Sequence, residues 1–291
     1  MGCITGTSGM IASSFLAIVY GFASAASWGA GDFSGGMASK RTHVYYVVLI
    51  SQLTGAILLL GLALLMREPF PMPIDLVYGA GAGISGVIGL LALYRGLALG
   101  QMAIVAPIAA VVSAAIPVLV GLFIEGLPGT RQWIGFSIAL IGVWLISQTR
   151  EAVTLQVRDV GLASLAGVGF GLFFVVIDRV SDGAVLWPLI AARAAPVSML
   201  LVFVAVLMRQ TPMPVRQHLP LIALSGIFDT GGNAFFVLST QTGRLDIAAV
   251  LSSLYPVSTI MLAWFFLHER LLPQQWGGVI AALTAVVLLA S

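Results

Sequence analysis

Two polar side chains interrupt an apolar segment in the second half of the chain. The stretch LSGIFDTGGNAFFVLS, residues 224–239, carries Asp229 and Asn233 among Phe, Ile, Leu and Val. An aspartate at the centre of a membrane helix costs about 2.5–3.5 kcal/mol. Helical spacing puts Ser225, Asp229 and Asn233 on one stripe. We expect this stripe to face a polar cavity, where Asp229 can bind a proton or an amine. The alternative is a structural ion pair or a hydrogen bond between helices.

Four further residues are candidates for the same site. The guanidinium of Arg193 can hold a substrate carboxylate through two parallel hydrogen bonds, or it can neutralise Asp229 or Asp32 permanently. An Arg/Asp pair in one cavity would suit a zwitterion such as an amino acid. Trp28 shares a helix face with Asp32 and can stack on a cationic ligand or pack against a neighbouring helix. Asp32 lies nearer the end of its apolar segment, where a solvated or capping role competes with a transport role. Tyr255 is a candidate cavity residue.

Prolines inside apolar segments are candidate gating positions. Proline frees a backbone carbonyl and can bend a helix, which suits a moving gate but also a static kink. Pro256, Pro107 and Pro117 occupy such positions. Charged pairs that close two of the segments are expected to act as interfacial caps or gates, namely Asp178–Arg179 and Glu269–Arg270.

The composition is that of a membrane protein. Of the 291 residues, 59% are hydrophobic and 8% are charged, against about 25% charged in a soluble domain. The mean hydropathy is +1.07. A water-soluble fold this apolar could not cover its own surface, so the sequence predicts an all-α protein with many membrane crossings. The 33 glycines fit this class, because small residues let membrane helices approach closely.

Several other classes of protein are excluded or disfavoured. The formal net charge of +2 is too small to indicate a nucleic-acid partner. Cys3 is the single cysteine, and the three histidines show no metal-ligand spacing. No nucleophile-elbow, zinc-protease or phosphate-loop motif occurs, so we expect neither an enzyme nor a bound cofactor or metal. An intramembrane enzyme or a channel stays open as an alternative from a different class.

Hydropathy divides the chain into ten candidate membrane spans. A bilayer-crossing helix needs about 20 mostly apolar residues, and the connections here are too short to hold a soluble domain. The predicted spans are 14–38, 44–66, 76–98, 102–124, 132–149, 160–180, 185–208, 218–240, 246–267 and 274–290.

The two halves resemble each other. The stretch before the third span, REPFPMPIDLVYGAGAGISG, matches RQTPMPVRQHLPLIALSG before the eighth. An offset of 143 relates Trp133 to Trp276 and Gly135 to Gly278. We therefore predict two five-helix domains, residues 1–150 and 151–291. Five is an odd number, so the second copy enters the membrane from the opposite side. Such inverted repeats are common in secondary transporters, with the substrate near mid-membrane where the repeats meet.

The end of the chain resembles a known family. SSLYPVSTIMLAWFFLHERLLPQQWGGVIAALTAVVLL, residues 252–289, is similar to the end of an EamA-like domain of the drug/metabolite transporter superfamily. The similarity lies in a mid-helix proline, a His-Glu-Arg turn and a last helix containing Gly277 and Gly278. AASWGAGDFSGG, residues 25–36, resembles the tryptophan-bearing first helix of such proteins. The first half departs from the pattern. Val112 stands where the proline is expected, and Ser51 and Gln52 lie where the second helix usually carries an arginine.

The resemblance implies a carrier working by alternating access. Family members are mostly inner-membrane proteins of bacteria that export amino acids, other metabolites or toxic compounds. We therefore expect a monomeric exporter of small metabolites, amino acids first, with Asp229 as the proton-sensitive group if protons are coupled. A carrier of lipophilic drugs or lipid-linked metabolites is the alternative. The cavity is expected to be lined by the first, third, fourth, sixth, eighth and ninth spans, with Arg193 of the seventh reaching inward.

Loop charges and the resemblance disagree about orientation. An even number of spans puts both termini on one side. Four loop arginines lie on that side, Arg67, Arg131, Arg179 and Arg244, and eight basic residues lie on the other, Lys40, Arg41, Arg95, Arg150, Arg158, Arg209, Arg216 and Arg270. The positive-inside rule would place the termini outside. The resemblance implies cytoplasmic termini, and we adopt that orientation as the expectation.

Overall fold

The described part of the chain is helical. The structure is a computed structural model that describes residues 5–99, 102–124, 126–146, 148, 157–207, 216–268 and 271–290. Cys3, Arg150, Arg209, Glu269 and Arg270, on which sequence predictions fall, lie outside these ranges. A short 3-10 turn, Arg216–His218, precedes α8. The α-helices are α1 (Thr5–Ser39), α2 (Val44–Met66), α3 (Pro73–Ala98), α4 (Met102–Ile124), α5 (Thr130–Ile146), α6 (Val157–Ile177), α7 (Leu186–Leu207), α8 (Leu219–Thr242), α9 (Leu245–Ser252), α10 (Tyr255–Leu267) and α11 (Pro273–Ala290).

These helices correspond to the ten predicted spans. Seven segments are long and apolar enough to cross a membrane: Val44–Met66, Pro73–Ala98, Val105–Ile124, Val157–Ile177, Leu186–Val206, Arg216–Thr242 and Leu245–Leu267. Two shorter apolar helices and the long α1 complete the set. The ninth span differs from the expectation, because it consists of α9 and α10 separated by Ser253 and Leu254. Pro256 stands in the first turn of α10, where its missing N–H leaves no helical bond unmade.

Large apolar side chains cover the outer surface, and polar and charged side chains lie inside beside a hydrophobic core. Large hydrophobic residues such as Leu65, Phe123 and Val202 are exposed. Serines, aspartates, Gln52 and Arg193 are buried between helices. An outer surface this apolar fits a bundle surrounded by lipid.

The two halves pack on each other reciprocally. The first helix of each half contacts the third helix of the other, so α1 packs on α8 and α6 packs on α3. The second helices, α2 and α7, contact each other, and so do the fifth helices, α5 and α11. Exchanging the halves leaves this set of contacts unchanged. The predicted fold, ten helices in two inverted five-helix repeats, is confirmed.

Backbone contacts between α5 and α11 follow the same symmetry. A Cβ built on Gly278 would lie 2.7 Å from the carbonyl oxygen of Gly142 and 2.6 Å from Ile146. A Cβ built on Gly135 would lie 2.8 Å from Leu289 and 3.6 Å from the carbonyl oxygen of Ala285. The offset of 143 relates Gly135 to Gly278, Gly142 to Ala285 and Ile146 to Leu289, so the two sets of contacts are equivalent. The glycines therefore allow the close approach of two equivalent helices.

We predict that Gly278→Ala destabilises the protein and that Gly277→Ala does not. The added methyl at Gly278 meets backbone and side-chain atoms at 2.6–2.9 Å, whereas one at Gly277 meets only Leu145, at 3.9 Å. Overpacking of this kind costs on the order of 1–3 kcal/mol. Thermal unfolding in detergent should show a lower Tm for Gly278→Ala alone. Equal Tm values for the two variants would contradict the described α5–α11 contact.

Polar contacts tie loops to helix ends at both ends of the bundle. Near the start of α3, the carboxylate of Asp75 accepts hydrogen bonds from the backbone N–H (2.9 Å) and hydroxyl (3.0 Å) of Ser181 in the α6–α7 connection. At the opposite end, Thr42 in the α1–α2 connection bonds His218, before α8, at 3.1 Å. The offset of 143 relates Asp75 to His218. Each repeat thus ties its first connection to the third helix of the other repeat.

Candidate functional site

One cavity lies between the two repeats, near the middle of the bundle. The space between its lining residues, counted together with the open solvent at its mouth, is about 590 Å³. It is lined by residues of α1, α2, α3, α6, α7, α8 and α10, namely Trp28, Asp32, Gln52, Gly83, Gly86, Val87, Leu90, Phe170, Phe173, Phe174, Ala192, Arg193, Asp229, Asn233 and Tyr255. The expected contribution of the fourth span is absent from this lining among the described residues. The second span contributes instead, through Gln52.

Arg193 is held by two acceptors. Its Nη1 donates to Oδ2 of Asp229 at 2.5 Å and also to Oε1 of Gln52. The Arg193 side chain is only 4% exposed and that of Asp229 18%. A buried guanidinium needs such partners, since an isolated charge away from water is strongly unfavourable. The Arg193 atoms Nε and Nη2 are buried without a hydrogen-bond partner in the described part of the chain.

Gln52 lines the cavity but was not among the predicted site residues, although the resemblance placed Ser51 and Gln52 where the second helix usually carries an arginine. It lies 141 positions before Arg193. The same offset relates Ser51 to Ala192. Gly226 packs against the backbone carbonyl of Ser51, and Gly83 packs against that of Ala192, in equivalent close contacts. Gln52 is therefore the repeat counterpart of Arg193, and the two side chains meet across the interface of the halves. Subtracting the repeat offset of 141 from the position of Arg193 would have identified Gln52 from the sequence.

Asn233 is oriented by Trp28. The indole Nε1 donates to Oδ1 of Asn233 at 3.0 Å, which leaves the amide Nδ2 group of Asn233 for another acceptor. The Trp28 ring stacks on Phe174, with centroids 5.4 Å apart, and lies 5.9 Å from Phe236. Trp28, for which ligand stacking and packing against a neighbouring helix were both open, thus packs on α6 and fixes one polar group of the cavity.

Asp32 faces the cavity without a protein donor. Its residue is 8% exposed, so it is not a solvated surface group. No hydrogen bond to its carboxylate occurs among the described residues, and Asp229 is the neighbouring acidic group. The structure thus places Asp32 on the cavity wall and not in a capping position.

Ser225 lies close to the cavity but outside its lining. Its hydroxyl donates to the carbonyl oxygen of Gly31 at 3.0 Å and lies 2.9 Å from the phenol of Tyr94. It is fully buried, and these contacts join α8 to α1 and α3. Tyr255 does line the cavity, while its hydroxyl donates to the carbonyl oxygen of Ala106 at 3.1 Å. Pro107 and Pro117 lie inside α4, outside the lining.

The cavity has one polar and one apolar wall. Helices α1 and α8 provide Trp28, Asp32, Asp229 and Asn233, whereas α3 and α6 provide glycines, aliphatic residues and three phenylalanines. The offset of 143 that relates α3 to α8 carries Gly86 to Asp229. The first helices of the two halves align at an offset near 140, so the part of α1 that carries Asp32 corresponds to the part of α6 that carries Phe173. A Cβ on Gly86 would lie 3.2 Å from Phe173. Corresponding parts of the two halves therefore hold carboxylates on one wall and apolar residues on the other.

Comparison with known proteins identifies the family. The pattern of the EamA-like transporter family matches residues 15–148 and again residues 159–291. The chain belongs to the EamA-like transporter family. It is therefore a multi-pass membrane transporter of the drug/metabolite transporter superfamily and not an enzyme, as predicted.

Solved structures support the same fold. A protein known from a crystal structure aligns over 94% of this chain and 95% of its own, with a TM-score of 0.72 and 17% identity. In all, 28 chains of solved structures match. At this identity the likeness shows the fold alone. No curated protein matches the chain.

We predict that Arg193 and Asp229 are energetically coupled. Arg193→Ala leaves a buried carboxylate without its partner, and Asp229→Ala does the same to the guanidinium. Removing one member of a buried pair costs about 3–5 kcal/mol, and Asp229 is exposed enough to favour the lower value. The double variant should lose less stability than the sum of the single variants, with a coupling of about 0.5–3 kcal/mol.

A double-mutant cycle measured by unfolding in detergent tests this coupling. Ser198→Ala is the matched control, because Ser198 is an exposed residue of the same helix, α7, that bonds only its own backbone turn. Strict additivity of the two single losses would show that the ion pair contributes nothing.

Proposed function

We propose that this transporter carries small amphipathic molecules with an ammonium group, and that amino acids with apolar side chains are the first candidates. The observation that carries the proposal is the two-walled cavity, in which carboxylates face an aromatic surface across one space. The carrier works by alternating access between its inverted repeats. It acts as a monomeric exporter in the bacterial inner membrane, with cytoplasmic termini.

The charges of the cavity favour a cationic group on the cargo. Two carboxylates, Asp32 and Asp229, line the cavity with one guanidinium, Arg193. Because Arg193 is already bound to Asp229 and Gln52, its charge does not compensate Asp32. One negative charge in a site of low dielectric is then left for the cargo to neutralise.

Free amide donors leave room for a carboxylate on the same cargo. The Oε1 of Gln52 accepts a hydrogen bond from Arg193, and the Oδ1 of Asn233 accepts one from Trp28. Each of these two amides therefore retains an NH₂ group beside the cavity. A cargo carboxylate can accept from these groups without displacing the ion pair. The ammonium group would lie at Asp32, and the apolar side chain would lie on Phe170 and Phe173.

A carrier of lipophilic drugs is the second candidate, and a second concavity favours it. An apolar groove between α1, α10 and α11 is lined by Phe22, Ala26, Met261 and Leu283, among others. Its lining shares no residue with that of the central cavity. The groove suits a lipid-facing entry for an apolar compound but offers no charged group. The polar wall of the central cavity therefore makes the amine-bearing cargo the leading candidate.

Three probes with the same aromatic body test the proposed cargo. We expect the purified protein to bind L-phenylalanine and phenethylamine, which carry an ammonium group, and to reject 3-phenylpropanoate, which carries only a carboxylate. Counterflow of labelled L-phenylalanine in proteoliposomes should accompany binding. Preferential binding of 3-phenylpropanoate would overturn the charge argument, and flux without saturation or counterflow would indicate a channel.

We predict that Phe173 on the aromatic wall contributes to binding of the apolar part of the cargo. Phe173→Ala removes part of the surface on which the apolar portion rests, so the Kd for phenethylamine should rise about tenfold, as expected for the loss of 1–2 kcal/mol of aromatic contact. Phe265→Ala is the control, because Phe265 is 63% exposed on the outer surface. An unchanged Kd for Phe173→Ala would remove this residue from the binding surface.

A further inference from the structure

The carboxylate of Asp32 differs from every other buried acidic group in its surroundings. Asp75 accepts hydrogen bonds from Ser181 and Met72, and Asp246 is bound by Arg244 at 2.7 Å. Asp159 is close to Arg158, at 3.5 Å. Only Asp32, among the buried acidic residues of the described ranges, combines a place on the cavity wall with neither a hydrogen-bond donor nor a basic partner.

The helices packed around α1 bring no compensating cation to Asp32. The titratable groups near Asp32 are the carboxyl group of Asp229 on α8, the phenol of Tyr94 on α3 and the phenol of Tyr255 on α10. From α2 comes the neutral Gln52. The titratable residue of α9, Asp246, is engaged with Arg244, and the described part of α11 carries none.

The hydroxyl protons of the two phenols are also directed elsewhere. Tyr255 donates to the carbonyl oxygen of Ala106. The phenol of Tyr94 is bonded to Ser225 and the carbonyl oxygen of Gly31. The basic group lining the cavity, Arg193 on α7, binds Asp229 and Gln52. The negative charge of Asp32 is therefore unbalanced whenever the cavity holds no cation.

We propose that Asp32 is a shared binding site at which a proton and the ammonium group of the cargo exclude each other, so that the protein exchanges protons for cargo. An unbalanced carboxylate in a low-dielectric cavity must take up a cation or lose its charge. A proton satisfies it when the cargo is absent, and the ammonium group displaces that proton when the cargo binds. This inference rests on the proposed function and adds its coupling to protons.

The charge carried in one cycle follows from the competition. A cationic amine leaving as one proton enters makes the exchange electroneutral, so that a pH gradient drives it and a membrane potential does not. A zwitterionic amino acid carries no net charge, so its exchange for one proton moves one charge and responds to both gradients. Phenethylamine and L-phenylalanine, which differ by one carboxylate, separate these two cases.

Asp229 cannot take the same role without losing the ion pair. Its Oδ2 is bound to Arg193 at 2.5 Å, so protonation there would leave a buried guanidinium with only the amide of Gln52 as partner. Asp75→Asn is the control for Asp32, because Asp75 is a buried carboxylate that is bound by Ser181 and lies outside the cavity lining.

The first measurement is made without any cargo. Infrared difference spectra of the reconstituted protein between alkaline and acidic pH should show the carbonyl stretch of a protonated carboxyl group. The other carboxyl groups of the chain contribute to the same region, so we expect Asp32→Asn to remove one component of the band, Asp75→Asn to leave that component in place, and Asp32→Glu to shift it. A difference band that is the same in Asp32→Asn as in the unsubstituted protein overturns the proposal, whatever the cargo is.

The second measurement adds phenethylamine as the probe. Calorimetry in buffers of different ionisation enthalpy should show release of about one proton per bound molecule at acidic pH. The Kd should rise about tenfold for each unit by which the pH falls in that range, as linkage requires for one exchanged proton. In Asp32→Asn any residual binding should be independent of pH.

The outcomes separate the two proposals. Binding of the probe without proton release overturns the exchange at Asp32 while the proposed function stands. An Asp32 band together with no binding of L-phenylalanine or phenethylamine overturns the proposed cargo, and the exchange with it, although Asp32 remains a proton site. A band that disappears on adding phenethylamine supports both proposals.

Discussion

Placing charged groups inside a bilayer is the constraint around which this structure is organised. The buried charge of Arg193 is stabilised because one of its guanidinium nitrogens donates hydrogen bonds to both Asp229 and Gln52. The contact joins α2, α7 and α8, which belong to different repeats, so the electrostatic requirement also locates the centre of the bundle. Once these side chains are fixed, the walls around them determine what else the cavity can bind. Asp32 is the group that this arrangement leaves without compensation.

The packing of the two repeats has stayed symmetric while the cavity has not. Gly83 and Gly226 occupy equivalent places against Ala192 and Ser51, as close helix packing requires. The cavity instead has carboxylates on one wall and Gly86 with Phe173 on the other. Small residues at crossing points are constrained by space, and side chains facing a cavity are not. Duplication followed by divergence of the cavity residues therefore yields a site with two chemically different faces.

Much of the fold follows from hydropathy and internal repetition, which act over whole segments. The span boundaries and the inverted repeat were predictable because bilayer thickness and odd helix number allow few alternatives. The cavity was only partly predictable. Asp229, Asn233 and Arg193 stood out as polar residues in apolar segments, but Gln52 did not, since its importance depends on a partner 141 positions away. The sequence also predicted that α4 would line the cavity and that α2 would not. Both predictions were wrong for the same reason, because the sequence of one helix does not show which helix of the other repeat it contacts.

The interruption between α9 and α10 has a conformational consequence for a carrier made of inverted repeats. The offset of 143 relates Ser253 and Leu254 to Ala110 and Val111 of the continuous α4. If the two repeats exchange conformations during transport, α4 must open near these two residues while Ser253 and Leu254 become helical. The hydroxyls of Ser113 and Ser253 already lie 3.3 Å apart, so the two sites of backbone rearrangement are adjacent. The opening of α4 and the closing of the break between α9 and α10 would then take place side by side in the centre of the bundle.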